Sequence, residues 1–232
     1  MQTGRFCAKI RVQDILKIQS KKEGMDMKVL LLNGSPHEKG CTYTALCEVA
    51  GVLEKNGIET EIFQIGNKPV AGCIGCGSCR KTGRCVFEGG VNEFVEKAKE
   101  ADGFIFGSPV YYANASGQIS SFLDRAFYSG SAAFAYKPGA AVASCRRAGT
   151  TATLDQLNKY FTINCMPVVS SQYWNMVHGN TPEEVVQDKE GLQIMRTLGS
   201  NMAWLLHCIQ AGKEQGIALP EREPKEKTNF IR

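Results

Sequence analysis

The sequence predicts an α/β protein whose core is a doubly wound sheet of five parallel strands, with a long cysteine-rich loop inserted after the second strand. Three observations carry that expectation. Residues 28–33 form an unbroken apolar run too short for a helix, as a parallel strand buried on both faces would. Gly34-Ser35-Pro36 breaks the run, and a helical face follows at Ala45, Leu46, Val49, Ala50 and Leu53. The same alternation of short strand and amphipathic helix then recurs along the chain, which implies a sheet covered by helices on both sides.

Taken in order, Asn56-Gly57 closes the first helix, with Gly57 where a left-handed C-terminal cap falls. Residues 59–65 read as the second strand. Residues 66–90 are long, non-periodic and hold every clustered cysteine; loops of this length are usually functional. Val91, Phe94, Val95 and Ala98 mark a helix, residues 103–107 a short buried strand, and residues 108–114 the loop after it. Ile119, Phe122, Leu123, Ala126 and Phe127 form the next helical face. Residues 140–144 are the fourth strand, residues 145–151 its loop, and Leu154, Leu157 and Phe161 the following helix. Residues 167–170 supply the fifth strand. Thr181-Pro182-Glu183-Glu184 opens a last helix running through Val185, Leu192, Met195, Leu198, Met202, Leu205 and Ile209, with Gly191 and Gly199 as weak points. Ligands of such sheets lie at the carboxyl ends of strands, so the loops after strands one, three and four should converge.

Composition is that of an ordinary globular chain, 43% hydrophobic and 22% charged. We expect one domain over residues 27–219, a poorly ordered extension over residues 1–26 and a polar tail over residues 220–232. No apolar run approaches the ~20 residues of a membrane span. Of the net charge of +4, residues 1–26 carry six Lys/Arg against three Asp/Glu, leaving no basic stripe on the folded part for nucleic acid. The ten cysteines, in a chain showing no secretory signal, point to thiols in a reducing, cytoplasmic setting.

Strand, hydroxyl-rich loop and helix start make a phosphate site. Free amides and the helix dipole favour an anion there, and Ser35, Thr42 and Thr44 can add hydroxyl donors. An ordinary Gly-Ser-Pro turn is the plain alternative. Neither G-x-x-x-x-G-K-[ST] nor G-x-G-x-x-G occurs, which speaks against a P-loop NTPase and a G-x-G-x-x-G dinucleotide fold.

The most specific signal is Cys73-x2-Cys76-x2-Cys79-x5-Cys85. Structural zinc usually takes two separated C-x2-C pairs. Thiolates at steps of three residues instead wrap one side of an iron-sulfur cubane, with the fourth close behind. A [4Fe–4S] cluster leads, with zinc or uncoordinated thiols as alternatives. Gly72, Gly75, Gly77 and Gly83 let the backbone curl around a bulky group, and Arg80, Lys81 and Arg84 would offset its negative charge.

Tyr111 and Tyr112, on the loop after strand three, suit a planar heterocycle or else pack on the helix at Ile119. Arg146 and Arg147, on the loop after strand four, would stabilise the reduced anionic form of a flavin, or stand free in solvent.

With these motifs in hand, the chain resembles the NADPH-dependent FMN reductase group of flavodoxin-like proteins, and more narrowly the iron-sulfur flavoproteins of anaerobes. The resemblance covers residues 27–212 and rests on G-S-P-H-E-K-G-C-T-Y-T, the four-cysteine run, G-S-P-V-Y-Y-A-N-A-S-G and S-C-R-R-A-G-T-T. It implies a flavodoxin-like fold and FMN with its phosphate at Ser35, Cys41, Thr42 and Thr44. The ring would lie along Pro109, Val110, Tyr111, Tyr112 and Asn114, with Ser144, Cys145, Arg146, Arg147, Gly149 and Thr150 at its edge. His37 stands where the family often has a basic residue, and Gly40-Cys41-Thr42 replaces a common G-N-T, losing a side-chain amide. By the same resemblance His178 could approach the flavin, and the chain would be a homodimer or homotetramer. Cys145 is either a redox thiol or a structural one. The activity implied is electron transfer from NAD(P)H or a reduced carrier to a small-molecule or protein acceptor, with no side chain required as acid or base. A non-catalytic flavin and iron-sulfur carrier is the runner-up, and a zinc-stabilised binding module the third reading.

Overall fold

The computed structural model of the protein describes residues 27–224, 226 and 228. The expectation for residues 1–26 lies outside them. Five parallel strand positions carry the fold: β1 (Lys28–Asn33), β2 (Glu59–Gln64), β3 (Gly103–Tyr111), β5 (Gly139–Cys145) and β6 (Met176–His178). Their order is β2-β1-β3-β5-β6, with the two-residue β4 (Asn114–Ala115) folded back antiparallel on β3. This is the flavodoxin-like doubly wound order, whose switch point lies between β1 and β3.

The period-two alternation of strand side chains divides the interior into two cores. Leu30, Leu32, Phe104, Phe106, Ala141 and Ala143 face one side. They pack there against α3 (Val91–Glu100), α4 (Gly117–Gly130) and α5 (Thr150–Thr162). That side is aromatic: Phe94, Phe104, Phe106, Phe122, Phe134 and Phe161 are all fully buried. Val29, Leu31, Ile105, Ala140, Val142 and Val177 face the other, aliphatic side, against α1 (Cys41–Lys55) and α7 (Lys189–Glu214). Burying one such side chain contributes about 1.5–3 kcal/mol, so both layers hold the sheet firmly.

Four expectations are corrected. Residues 167–170 are not the fifth strand: Val168 makes one bridge to Gly139, near the start of β5. Pro167 has no N–H to continue a ladder, and the chain bulges before β6 pairs with the other end of β5, Ala143 opposite Met176 and Cys145 opposite His178. The edge position is thus filled in two pieces. Second, β3 runs on to Tyr111, so residues 108–111 are strand and not loop, because β4 supplies the partner for Val110 and Tyr111. Third, the last helix is two helices, α6 (Pro182–Gln187) and α7, because Asp188 leaves helical geometry and caps α7 through the Gly191 N–H. Gly199 is no weak point there: a Cβ on it would lie 2.8 Å from Val52 Cβ, so its absence lets α7 approach α1. Fourth, the cysteine loop holds a short helix, α2 (Cys79–Thr82), closed by Gly83 in the left-handed region. Residues 220–224 carry no helix or strand and are exposed.

Candidate functional site: three loops and a cysteine pocket

The loops after β1, β3 and β5 meet at the carboxyl edge of the sheet, held by short polar contacts. The buried Asn33 ends β1 and organises the first loop: its Oδ1 accepts the Ser35 N–H (3.1 Å), and its Nδ2 donates to the Glu38 carbonyl (3.2 Å). Ser35 Oγ accepts the His37 N–H (3.1 Å), leaving its own proton free to donate. Thr42 Oγ1 and Ser144 Oγ share a buried hydrogen bond of 2.7 Å, tying the start of α1 to the end of β5. Ser116 Oγ donates to the Gly34 carbonyl (2.8 Å), tying the start of α4 to the first loop, and the Ser116 N–H donates to Ser108 Oγ (2.9 Å) on β3.

Helix α1 begins at Gly40 in extended geometry, with no side-chain cap and no acidic residue in its first turn. An uncapped helix start with unpaired amides suits a phosphate. The hydroxyl of Thr44 bonds back to the Gly40 carbonyl (3.2 Å), and the partly buried Cys41 thiol donates to the Gly179 carbonyl (3.6 Å). His37 is exposed at the lip of the loop. The α1 amides, the buried Ser35 and the exposed His37 stand at this loop as donors, and Thr42 and Thr44 also make contacts within the fold.

Tyr112 and Ala113 form a two-residue hairpin loop between β3 and β4, both with positive φ (51° and 60°). Type I′ turns need this geometry and usually use Asn-Gly, so two side-chain-bearing residues there carry backbone strain. The hairpin projects Tyr112 fully into solvent, so it does not pack against the helix at Ile119, and leaves Tyr111 half-exposed. Pro109 and Val110 are half-buried, and Asn114 is exposed beside Tyr111. Gly149, at φ 92°, closes the third loop onto this hairpin: a Cβ there would lie 2.7 Å from Ala113 Cα and 2.8 Å from Val110 Cγ1. Arg146 and Arg147 stand exposed beside it, and Thr150 is buried. Cys145 is buried, and burial pushes its thiol up, which disfavours the thiolate. His178 is half-exposed; Asp188 accepts its backbone N–H (2.7 Å), with the ring Nδ1 3.6 Å from the same carboxylate.

The four clustered cysteines gather around one pocket, with Ile74, Val86, Phe87, Arg125 and Tyr128 among its other walls. Cys73 and Cys76 are exposed, Cys79 and Cys85 half-buried. Among the described residues, no three His, Cys, Asp or Glu side chains close around a single ion position. One zinc ion would need its thiolates within about 2.3 Å of a single point, and an iron-sulfur cluster a wider set. Gly75 and Gly77, both at positive φ, make the turns between the first three thiols. The Ser78 amide and hydroxyl hold the Cys76 thiol below the usual range, which favours the ligating thiolate. Cys85 is pinned twice. Asn92 Oδ1 accepts its N–H (2.8 Å) while Asn92 Nδ2 donates to its carbonyl (2.9 Å), and Arg125 Nε donates to its Sγ (3.2 Å).

Asn33, Asn92 and Arg125 are the residues that sequence reasoning missed. Arg125 carried a signal, since it lies three residues after Phe122 on an otherwise apolar helical face.

Residues 27–181 match the family described as NADPH-dependent FMN reductase. The chain is a member of that family. Its relatives in the family include an iron-sulfur flavoprotein of Methanocaldococcus jannaschii, 34% identical over 79% of this chain and all of that one. Another, from Methanosarcina thermophila, is 29% identical over 82% of this chain and all of that one. Among solved structures, an NAD(P)H:quinone oxidoreductase from Methanothermobacter marburgensis superposes with a TM-score of 0.59 at 16% identity, over 76% of this chain and 96% of that one. An archaeal flavodoxin superposes with a TM-score of 0.53 at 14% identity, over 78% and 99%. These two likenesses establish the flavodoxin-like fold. Family and fold together make this an FMN-binding architecture, and the uncapped α1 start and convergent loops fit that cofactor.

Proposed function

We propose that this protein is an FMN-dependent oxidoreductase moving electrons from NAD(P)H, or from a reduced carrier, to a quinone, a flavin or an electron-carrier protein. The convergence of three strand-end loops at the switch point carries this reading. Bound FMN would supply the redox chemistry, because it takes two electrons together and releases them singly. The α1 amides, Ser35 and His37 would grip its phosphate. The hairpin at Tyr111 and Tyr112 would flank its ring, and Arg146 and Arg147 would place positive charge at the ring edge. No side chain in the site is needed as a general acid or base.

Cys73, Cys76, Cys79 and Cys85 would hold a [4Fe–4S] cluster serving as the one-electron port, a reading supported by the shared pocket and by the names of the relatives. Arg125 lies nine positions beyond Ser116 on the same helix, ~13 Å along its axis at 1.5 Å per residue. One helix would therefore brace both redox groups. The exposed Val168, Tyr173 and Trp174 near the β6 edge support a homodimer or homotetramer, and the thiol-rich composition suits the cytoplasm.

Steady-state oxidation of NADH and NADPH by the reconstituted protein, with a quinone or a reducible carrier as acceptor, tests the enzymatic reading. Turnover is expected. Reduction of the bound flavin with no turnover on any acceptor would favour a non-catalytic carrier.

A further inference from the structure

Arg125 is the one charged side chain among the largest fully buried residues, 2% exposed. A buried cation needs an anion or a full set of acceptors. Among the described residues no carboxylate pairs with it. Its Nη1 donates to the Ala71 carbonyl (3.3 Å), its Nη2 to those of Phe87 and Glu88 (2.6 and 2.7 Å), and its Nε to Cys85 Sγ. The guanidinium also lies 5.5 Å from the Phe87 ring centroid. Three neutral carbonyls satisfy donors without cancelling the charge. Among the described residues, its only contact able to carry a full negative charge is the Cys85 sulfur.

Resting on the cluster reading above, we propose that Arg125 is the positioning residue of the cysteine pocket and the counter-charge of the group it holds. Its fork joins the residues before Cys73 to those after Cys85, closing the cysteine segment at both ends from a rigid core helix. Its charge acts through Cys85 Sγ. A hydrogen-bonded cation beside a cluster sulfur favours the more negative, reduced state, so it raises the midpoint potential. Arg80, Lys81 and Arg84 are the residues that sequence reasoning put in this role; Arg80 also lines the pocket, but all three are exposed, where water screens their charge far more than that of the buried Arg125.

The test compares the anaerobically reconstituted parent with R125Q and R125K. Iron per chain, melting temperature and the cluster midpoint potential from redox titration are measured. Glutamine removes the charge and keeps a donor; lysine keeps the charge and loses the fork. R125Q should lower the potential by about 59 mV, a tenfold shift in a one-electron equilibrium. R125K should stay near the parent in potential while melting earlier. If either variant fails to keep a full cluster, bound iron is compared instead, and more iron in R125K than in R125Q supports the assignment. An R125Q potential equal to the parent's, an equal shift in both variants, or equal iron loss from both overturns it. A parent that takes up no iron overturns the cluster reading itself, and this assignment with it.

Discussion

The two halves of α4 brace two differently built corners. Its N-terminal end is stitched to the phosphate-type loop by Ser116, within a web of neutral hydroxyls, amides and carbonyls that includes the Thr42–Ser144 pair. Its C-terminal half lines the cysteine pocket, where Arg125 and Asn92 hold a segment whose Ile74 and Val86 are largely exposed. The first corner is completed by the fold's own hydrogen bonds. The second has few buried apolar contacts, and a segment of that kind depends on what its side chains bind. The difference separates a corner that its own hydrogen bonds finish from one that, on the proposed reading, a bound group would finish.

Removing a ligand from the second corner should break the comparison most sharply. Replacing Cys76 with serine is expected to abolish stable iron binding while flavin binding persists, read as iron and flavin per chain. Loss of both together would contradict the independence of the corners.

At the first corner, a Gly149→Val substitution forces a Cβ into the space beside Ala113 and into a backbone conformation that valine rarely adopts. Strain of about 1–3 kcal/mol at this contact should weaken FMN binding tenfold or more, measured by fluorescence titration, without loss of iron. Unchanged FMN affinity would mean that contact between the third loop and the hairpin does not shape the site.

Much of this was readable in advance, for local reasons. The strands flanking the switch point announce themselves as apolar runs with period-two burial, and the cysteine spacing is itself a local pattern. Tertiary partners were not readable. Asn33 looks like the polar end of a strand, yet it organises the following loop. Residues 167–170 have strand composition, but Pro167 and the return of the chain at Met176 split the edge. Asp188 interrupts a helical pattern by capping the next helix. Arg125 was visible as an anomaly on an apolar stripe, but its partner lies 40 positions earlier in the chain. Ser35, Thr42 and Thr44 were expected as donors to the phosphate; the sequence did not show that the hydroxyls of Thr42 and Thr44 also make contacts within the fold, to Ser144 and to the Gly40 carbonyl.

A smaller effect is expected from Thr42→Val. It leaves the Ser144 hydroxyl buried without its partner, at a cost of about 1–3 kcal/mol in urea unfolding. Parent-like stability would show that the Thr42–Ser144 bond does not tie the two loops together.

The smallest effect concerns a control region away from both corners. Burial alone would raise the Glu61 carboxyl, but hydrogen bonds from Lys28 and Lys97 hold it below the usual value. A carboxyl depressed in the folded state stabilises above its unfolded pKa of about 4.3, and that contribution is lost as pH falls through the folded value. Glu61→Gln should flatten the acid limb of the stability profile by no more than about 1 kcal/mol. An altered iron or flavin content in this variant would blur the separation between corners and frame.

The most direct measurement is anaerobic isolation of the chain followed by iron, sulfide and flavin analysis. A preformed flavin corner and a cluster-completed cysteine corner predict one FMN with about four irons and four sulfides per chain. A colourless protein retaining zinc, or one holding neither flavin nor iron after reconstitution, would contradict the account.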